Sequence, residues 1–420
     1  LLSAACLLTE CINSYPSIVG LGALSSLGHD VESHFQAISD GRPAIRLLGE
    51  LLGEKSPHAQ RPGAWIEARA HLTHRKWSPA SMAALHVAKQ AVDQAGWKAE
   101  ELADCALILG TSRGNAAAWL GPWPGRRPFK LMAASNTIHS EPATAISIEF
   151  GIFGPNHVIA SGCSSGLDAL GLAKILLDAG QAQRALVVAV DLPLVPILLD
   201  NYADSGLLAQ DSRLDPFSSS TSGFIPGEGA AAIALSKQEK GSIGISHFAN
   251  NSDGADPVGI PKDGGRSAAL LAHAVDCVGL PAAICPHATG TLAQAKAERI
   301  FLGNPSLGSE VSLHLLKPFF GHTIGASGLL ESVVMIRFMQ EASLPPNLPN
   351  STSFSMRPTP DTITPCNGAV YKLAHGMGGH NALAVFHPQL CPTSSFLSMS
   401  KRSNFLKMKH LLLPTKSLVA

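Results

Sequence analysis

The chain has 420 residues, 31 basic and 31 acidic side chains for a formal net charge of zero, and 45% hydrophobic against 15% charged residues. That length exceeds what one hydrophobic core fills, and the balanced charge excludes a long-range field drawing the whole molecule to nucleic acid or an anionic membrane surface. The low charge content, with 39 glycines, excludes a largely disordered polymer, and no stretch reaches the roughly 20 apolar residues of a membrane-spanning helix.

Leu1 to Leu8 is apolar but lacks a basic start and soon meets Glu10, so it does not read as a signal peptide. The missing initiator Met points to a natural start that lies elsewhere. Ser17 to Leu24 reads as a buried strand running into a glycine turn, and Ser78 to Ala95 has apolar residues at helical spacing. The alternation continues with strand 106–110, helix 143–150, strand 157–160, helix 165–179 and strand 185–190. This is the rhythm of a mostly parallel sheet covered by helices.

After a polar stretch, strand 230–235 leads into strand 243–248, helix 267–278, strand 282–286, helix 322–340 and strands 368–373 and 382–386. The two series resemble one another in order, which predicts an α/β protein of two similar halves, 15–240 and 241–390. Residues 391–420 carry Lys401, Arg402, Lys407, Lys409 and Lys416 with no acidic residue. They read as a disordered basic tail, with a dock for an acidic protein as the lesser reading. The eight cysteines form no CxxC pair and read as reduced thiols of a cytoplasmic protein, mostly buried for packing.

Three segments carry candidate chemistry. Ser161-Gly-Cys163-Ser-Ser-Gly166 lies between a strand and a helix, so Cys163 is expected in a tight turn at a helix N-terminus. The positive end of a helix dipole favours thiolate over thiol. His287-Ala-Thr289-Gly-Thr291 follows a short apolar run, placing an imidazole at a strand end, where open α/β sheets build sites. Lys317-Pro-Phe-Phe-Gly-His322-Thr-Ile-Gly-Ala-Ser-Gly328 precedes Glu331, a carboxylate on an otherwise apolar helix that requires a partner if buried. Any one of these alone would be better explained as packing or surface residues. Together, in this order, they are not.

The Cys turn, the His-x-Thr-x-Thr run and the Lys-x3-Gly-His segment resemble the β-ketoacyl-(acyl carrier protein) synthases of fatty acid and polyketide assembly, over roughly residues 15 to 388. Gly20-Leu-Gly22, Gly110-Thr111, Gly223 to Ala230 with Glu228, Glu298, and His375-Gly-Met377-Gly-Gly379-His380-Asn381 fit the same resemblance. It implies a thiolase-like fold in layers α-β-α-β-α. It also implies an elongating, decarboxylative Claisen condensation in which Cys163 takes an acyl group from a carrier and malonyl-carrier supplies the nucleophile. His287 and His322 would stabilise the enolate, with Lys317 and Glu331 supporting them. Backbone N–H groups of Cys163 and Met377 would form the oxyanion hole, with Met377 also in the position of the acyl gate. Thr289 and Thr291 would bind the phosphopantetheine arm of acyl carrier protein. The resemblance implies a dimer, either of identical chains or with a related subunit, and neither a bound cofactor nor a metal; no metal-ligand cluster is evident in the sequence.

The sequence also departs from the family pattern. Gln294-Ala295 stands where a carboxylate is usual, and Pro216-Phe217-Ser218-Ser-Ser-Thr221 lacks both members of a customary ion pair. Arg113 falls where an apolar residue usually lines the acyl pocket, which favours short, polar or polyene-like acyl groups unless the side chain turns outward. The alternative from another class is a non-catalytic partner subunit that shapes chain length in a heterodimer.

Overall fold

The computed structural model describes residues 15–74, 76–116, 137–349 and 354–389. The expectations for Leu1–Leu8 and for the tail 391–420 lie outside the described residues. Ten strands form one sheet: β1 Ser17–Ser25, β2 Ala106–Gly110, β3 Asn156–Ile159, β4 Arg184–Asp191, β5 Gly229–Ser236, β6 Ile243–Ser252, β7 Ala283–Cys285, β8 Ser312–Leu313, β9 Val370–Gly376 and β10 His380–Pro388. The helices of nine residues or more are α1 Val31–Ser39, α2 Pro79–Ala95, α3 Glu141–Phe150, α4 Ser165–Asp178, α5 Pro196–Asp204, α6 Gly265–Val278, α7 Leu292–Leu302 and α8 Ser327–Gln340.

The strand order across the sheet is β8-β7-β9-β10-β6-β1-β5-β4-β2-β3. Numbered within each half, β1 to β5 and β6 to β10 both run 3-2-4-5-1, with two parallel pairings followed by two antiparallel ones. The duplication that no residue-level repeat discloses is therefore explicit in topology. The halves meet at β1 and β6 through the single register pair Ser17 and Gly244.

Between the halves lie α4 and α8, packed on each other and on strands of both halves of the sheet. Helix α8 is buried over nearly its whole surface, from Ser327 to Met339. On the outer face of the first half, α2 begins at Ser78, which accepts from Ser81 N–H, and at Pro79; it ends at Gly96 in the left-handed region. Its inner stripe of Ala83, Ala84, Val87, Ala88 and Ala91 is buried. A Cβ at Gly20 or Gly22 of β1 would overlap the carbonyl oxygens of Ala91 and Val87, so these glycines let strand and helix backbones touch. Helix α6 covers β6 and β10 on the outer face of the other half, which completes the α-β-α-β-α layering.

The expected helix over 322–340 requires correction. It starts at Ser327, after a single turn at Lys317–Phe320 and a 3-10 turn at Ile324–Ala326. His322 is held outside it because its N–H donates to Ile225 O at 2.7 Å and its carbonyl accepts from Gly227 N–H at 2.9 Å. These tertiary backbone bonds override the helical composition of the segment. Strand β9 begins two residues later than expected, at Val370, and runs on to Gly376.

Candidate active site

Strand β3 ends at Ile159, and the chain turns through Gly162 at φ +63° into a 3-10 turn, Gly162–Ser164, that feeds α4. A Cβ on Gly162 would lie 3.2 Å from the backbone N and O of Met377. One on Gly376 would overlap Ser161 O and come within 3.3 Å of Cys163 N. Two glycines thus let the nucleophile turn and the end of β9 close on each other, bringing the backbones of residues 163 and 377 to one place. Ser161 and Ser164 hydroxyls hold the turn by donating to Asp168 Oδ2 at 2.5 and 2.8 Å.

His322 Nε2 lies 3.1 Å from Cys163 Sγ, and its Nδ1 lies 2.8 Å from Ser327 Oγ. The His287 ring stands at 87° to it with centroids 5.4 Å apart. His287 follows β7 in a loop pinned by Glu298 of α7, whose carboxylate accepts from His287 N–H and Ala288 N–H at 2.9 Å each. The His287 ring has no hydrogen bond among the described residues, and its Nδ1 is buried without a partner. A further imidazole, His375, packs against it at 5.4 Å and takes a 2.6 Å contact from Gln294 Nε2. Gln294 thus fills part of the space where the carboxylate usual in the family is missing.

Beneath the histidines lies a buried charge cluster. Lys317 Nζ donates to His287 O at 2.5 Å and to Glu331 Oε1 at 2.7 Å, while Lys372 Nζ meets Glu331 Oε2 at 2.5 Å. All three side chains are at most 1% exposed. Lys317 therefore holds the histidine loop directly, and Glu331 acts through the two lysines. Lys372, in the middle of β9, escaped the sequence reading. Its signal is a lone cation within the apolar run Val370-Tyr-Lys-Leu-Ala, where burial demands a counter-charge.

Burial, then the Lys317 charge, keeps both His287 and His322 well below their ordinary pKa, so both rings are neutral. His375 is pushed down to about 3 chiefly by burial. Glu298 is pushed up to about 7 by burial, against its backbone hydrogen bonds. The expectation of a thiolate at Cys163 is corrected: burial raises this thiol to about 12, with the Arg113 charge the first influence opposing it. Desolvation of the sulfur is the largest influence and favours the thiol.

Cys163, His287, His322, His375 and Gln294 line a pocket of about 260 Å³ together with Thr289, Thr291, Arg113, Tyr202, Phe224 and Met377. Thr289 and Thr291 hydroxyls lie 3.2 Å apart. Arg113 turns inward, its Nε donating to Tyr202 OH at 3.1 Å. Cys163, His287, His322, Thr289, Thr291, Arg113 and Met377 are therefore gathered here, while Lys317 and Glu331 lie beneath the lining, Lys317 reaching it through His287 O. Two groups of potential donor atoms lie close together among the described residues. Donor atoms of Cys163, His287 and His322 lie within 4.8 Å of one another, and so do those of His247, His273 and Cys277 on another face. The first group joins three separate segments, whereas His273 and Cys277 stand four apart on α6 and only His247 comes from another element, β6.

The models for the beta-ketoacyl synthase N-terminal and C-terminal domains match residues 17–241 and 244–351. The chain belongs to the beta-ketoacyl synthase family. It is thereby placed with the 3-oxoacyl-(acyl-carrier-protein) synthase type of acyltransferase, which acts in fatty acid and polyketide synthesis. Similar proteins include nodulation protein E of Rhizobium meliloti strain 1021, 29% identical over 88% of this chain and 98% of its own. The 3-oxoacyl-(acyl-carrier-protein) synthase 2 of the same organism is 25% identical over 79% of this chain and 87% of its own. Other relatives are far longer: this chain spans 10% of the highly reducing polyketide synthase ALT1 of Alternaria alternata, at 29% identity over 57% of the chain. Among solved structures, the ishigamide ketosynthase/chain length factor superposes with a TM-score of 0.79 at 19% identity, covering 90% of this chain and 99% of that one. The fold is thus that of ketosynthases. No helix among the described residues is long and apolar enough to cross a membrane.

Proposed function

We propose that this protein condenses an acyl group held on Cys163 with malonyl-carrier protein to give a β-ketoacyl-carrier product. The observation that carries the reading is the 3.1 Å approach of His322 Nε2 to Cys163 Sγ, beside the uncommitted ring of His287. In the first step the Cys163 sulfur attacks the acyl thioester carbonyl and its proton passes to neutral His322. The bond from carbonyl carbon to Cys163 forms, the bond to the pantetheine sulfur breaks, and the departing thiolate takes the proton. Backbone N–H groups of Cys163 and Met377 receive the oxyanion.

In the second step the malonyl C–C bond breaks, carbon dioxide leaves, and its electron pair generates an enolate. His287 and His322, both neutral, donate N–H to the enolate oxygen. The enolate carbon attacks the Cys163 thioester, the new C–C bond forms, the bond from the carbonyl carbon to the Cys163 sulfur breaks, and the departing thiolate takes up one proton from water. Lys317 fixes the His287 loop, Glu331 balances the lysines, and Thr289 and Thr291 hydrogen-bond the pantetheine arm. Residues 15–240 supply the nucleophile and 241–390 both histidines, so the halves act as one unit.

The carrier is an acyl carrier protein; a solved relative is described as a type II polyketide acyl-carrier protein in complex with its ketosynthase. A dimer is supported by the edge of β3, which among the described residues pairs only with β2, and by Phe153 just before it, 84% exposed. A cytoplasmic location fits the five unpaired cysteines of the described residues. The alternative of a non-catalytic partner subunit is disfavoured by an assembled Cys-His-His site. The test is intact-mass measurement after incubation with acyl-carrier thioesters, with Cys163→Ala as control and a malonyl-carrier chase. An adduct that needs Cys163 and leaves as β-ketoacyl product supports the reading. No adduct from a folded protein, with a partner subunit supplied, would overturn it.

A further inference from the structure

Arg113 presents an uncompensated cation to the pocket that holds the nucleophile. Its backbone N–H donates to Asp191 Oδ1 at 2.8 Å, but among the described residues no carboxylate forms an ion pair with its guanidinium. The side chain instead lies against Tyr202, with Nε donating to the phenol oxygen at 3.1 Å and the guanidinium carbon 5.6 Å from the ring centroid. Because that oxygen already accepts from Arg113, the Tyr202 hydroxyl hydrogen is free to donate elsewhere. The phenol, pushed up to about 12 mainly by burial, keeps this hydrogen at neutral pH. Among the described residues the carboxylate lining the pocket is Asp253, which accepts from Asn381 Nδ2 at 2.9 Å.

The pocket wall beside Cys163 thus offers guanidinium N–H groups and a phenol O–H to a ligand, set among Leu207, Phe224 and Ile324. An alkyl chain would desolvate these donors without replacing their hydrogen bonds, which is costly. A carboxylate would satisfy both and neutralise the cation. We propose that Arg113 and Tyr202 select short acyl groups bearing a carboxylate at the end remote from the thioester. This inference rests on the condensation reading above. The malonyl carboxylate is the poorer occupant, because a guanidinium that stabilises it would oppose loss of carbon dioxide.

The test compares Cys163 acylation rates, read by intact mass, for glutaryl-carrier and pentanoyl-carrier, which share one chain length. Glutaryl should load faster than pentanoyl by about 10- to 100-fold in the natural protein, the ratio expected of a charge-assisted hydrogen bond. Arg113→Leu should invert that preference, Arg113→Lys should retain part of it, and Tyr202→Phe should reduce it about tenfold, as for one hydrogen bond to a charged group. Natural protein that loads pentanoyl faster overturns the proposal without any variant. It is also overturned if Arg113→Leu slows both thioesters equally, or impairs only the malonyl-driven release. Failure of both thioesters to acylate Cys163 would instead remove the condensation reading, and this inference with it.

Discussion

Lys372 Nζ and Glu331 Oε2 meet at 2.5 Å inside the protein, with Lys317 on the other carboxylate oxygen at 2.7 Å. One carboxylate therefore serves two buried cations. Glu331→Gln leaves both lysines without a counter-charge and should destabilise the fold by about 3–5 kcal/mol. Lys372→Met leaves the Lys317 pair intact and should cost less. Urea-unfolding midpoints of the two variants decide this; equal losses would show that the carboxylate is not shared as described.

The raised Cys163 pKa makes the free protein's alkylation a direct probe. With the thiol at about 12, the rate of iodoacetamide modification at Cys163 should climb steadily from pH 7 to pH 9 without levelling. A plateau reached below pH 7 would mean that the helix end had prevailed over desolvation. The Cys163→Ala protein supplies the background from Cys277, the exposed thiol on α6.

Acid should destabilise the protein through its buried neutral histidines. His34 and His314 are pushed down to about 4, and His375 to about 3, each mainly by burial, from an ordinary value of 6.5. The unfolded chain takes up protons at these sites as pH falls below about 6.5, while the folded chain does not until pH 4 or lower. Their contribution is therefore complete above that range and lost on acidification through it. Glu298, raised to about 7, works in the opposite sense between pH 7 and 4.5, as do the raised carboxyls of Asp191 and Glu228, but His287 and His322, also held well below 6.5, add to the three histidines. Unfolding midpoints should fall from pH 7 to pH 5, and His314→Gln should flatten the slope.

Thr289→Val and Thr291→Val each remove one hydroxyl from the pocket wall while conserving shape. If these hydroxyls hold the pantetheine arm, KM for the carrier-bound substrate should rise about fivefold per hydrogen bond, with kcat changed less. A fall in kcat at constant KM would assign them to the reacting atoms instead.

How much of this was legible beforehand follows from how each group is encoded. Cys163, His287 and His322 stand in contiguous stretches whose small residues and threonines mark them, and all three meet in the pocket. Strand and helix order was legible because buried β4 and β5 are unbroken apolar runs. Three aspects were not. The start of α8 was missed because Ile324-Gly-Ala-Ser reads as helical while backbone bonds to Ile225 and Gly227 hold His322 apart. The state of the Cys163 thiol depends on three-dimensional burial rather than on its neighbours in the chain. Lys372 and Tyr202 reach the site from elements with no local signature of chemistry, and Lys372 could have been found only by asking what neutralises a cation inside a buried strand.

The two halves share one strand order but divide the reacting groups, with the sulfur in the first and both imidazoles in the second. On the ribosome, the half that emerges first holds its thiol without a base to take the proton. Under the proposed condensation, acyl transfer would await the synthesis and docking of β7 and the Lys317–His322 segment, so incomplete chains would not consume thioesters.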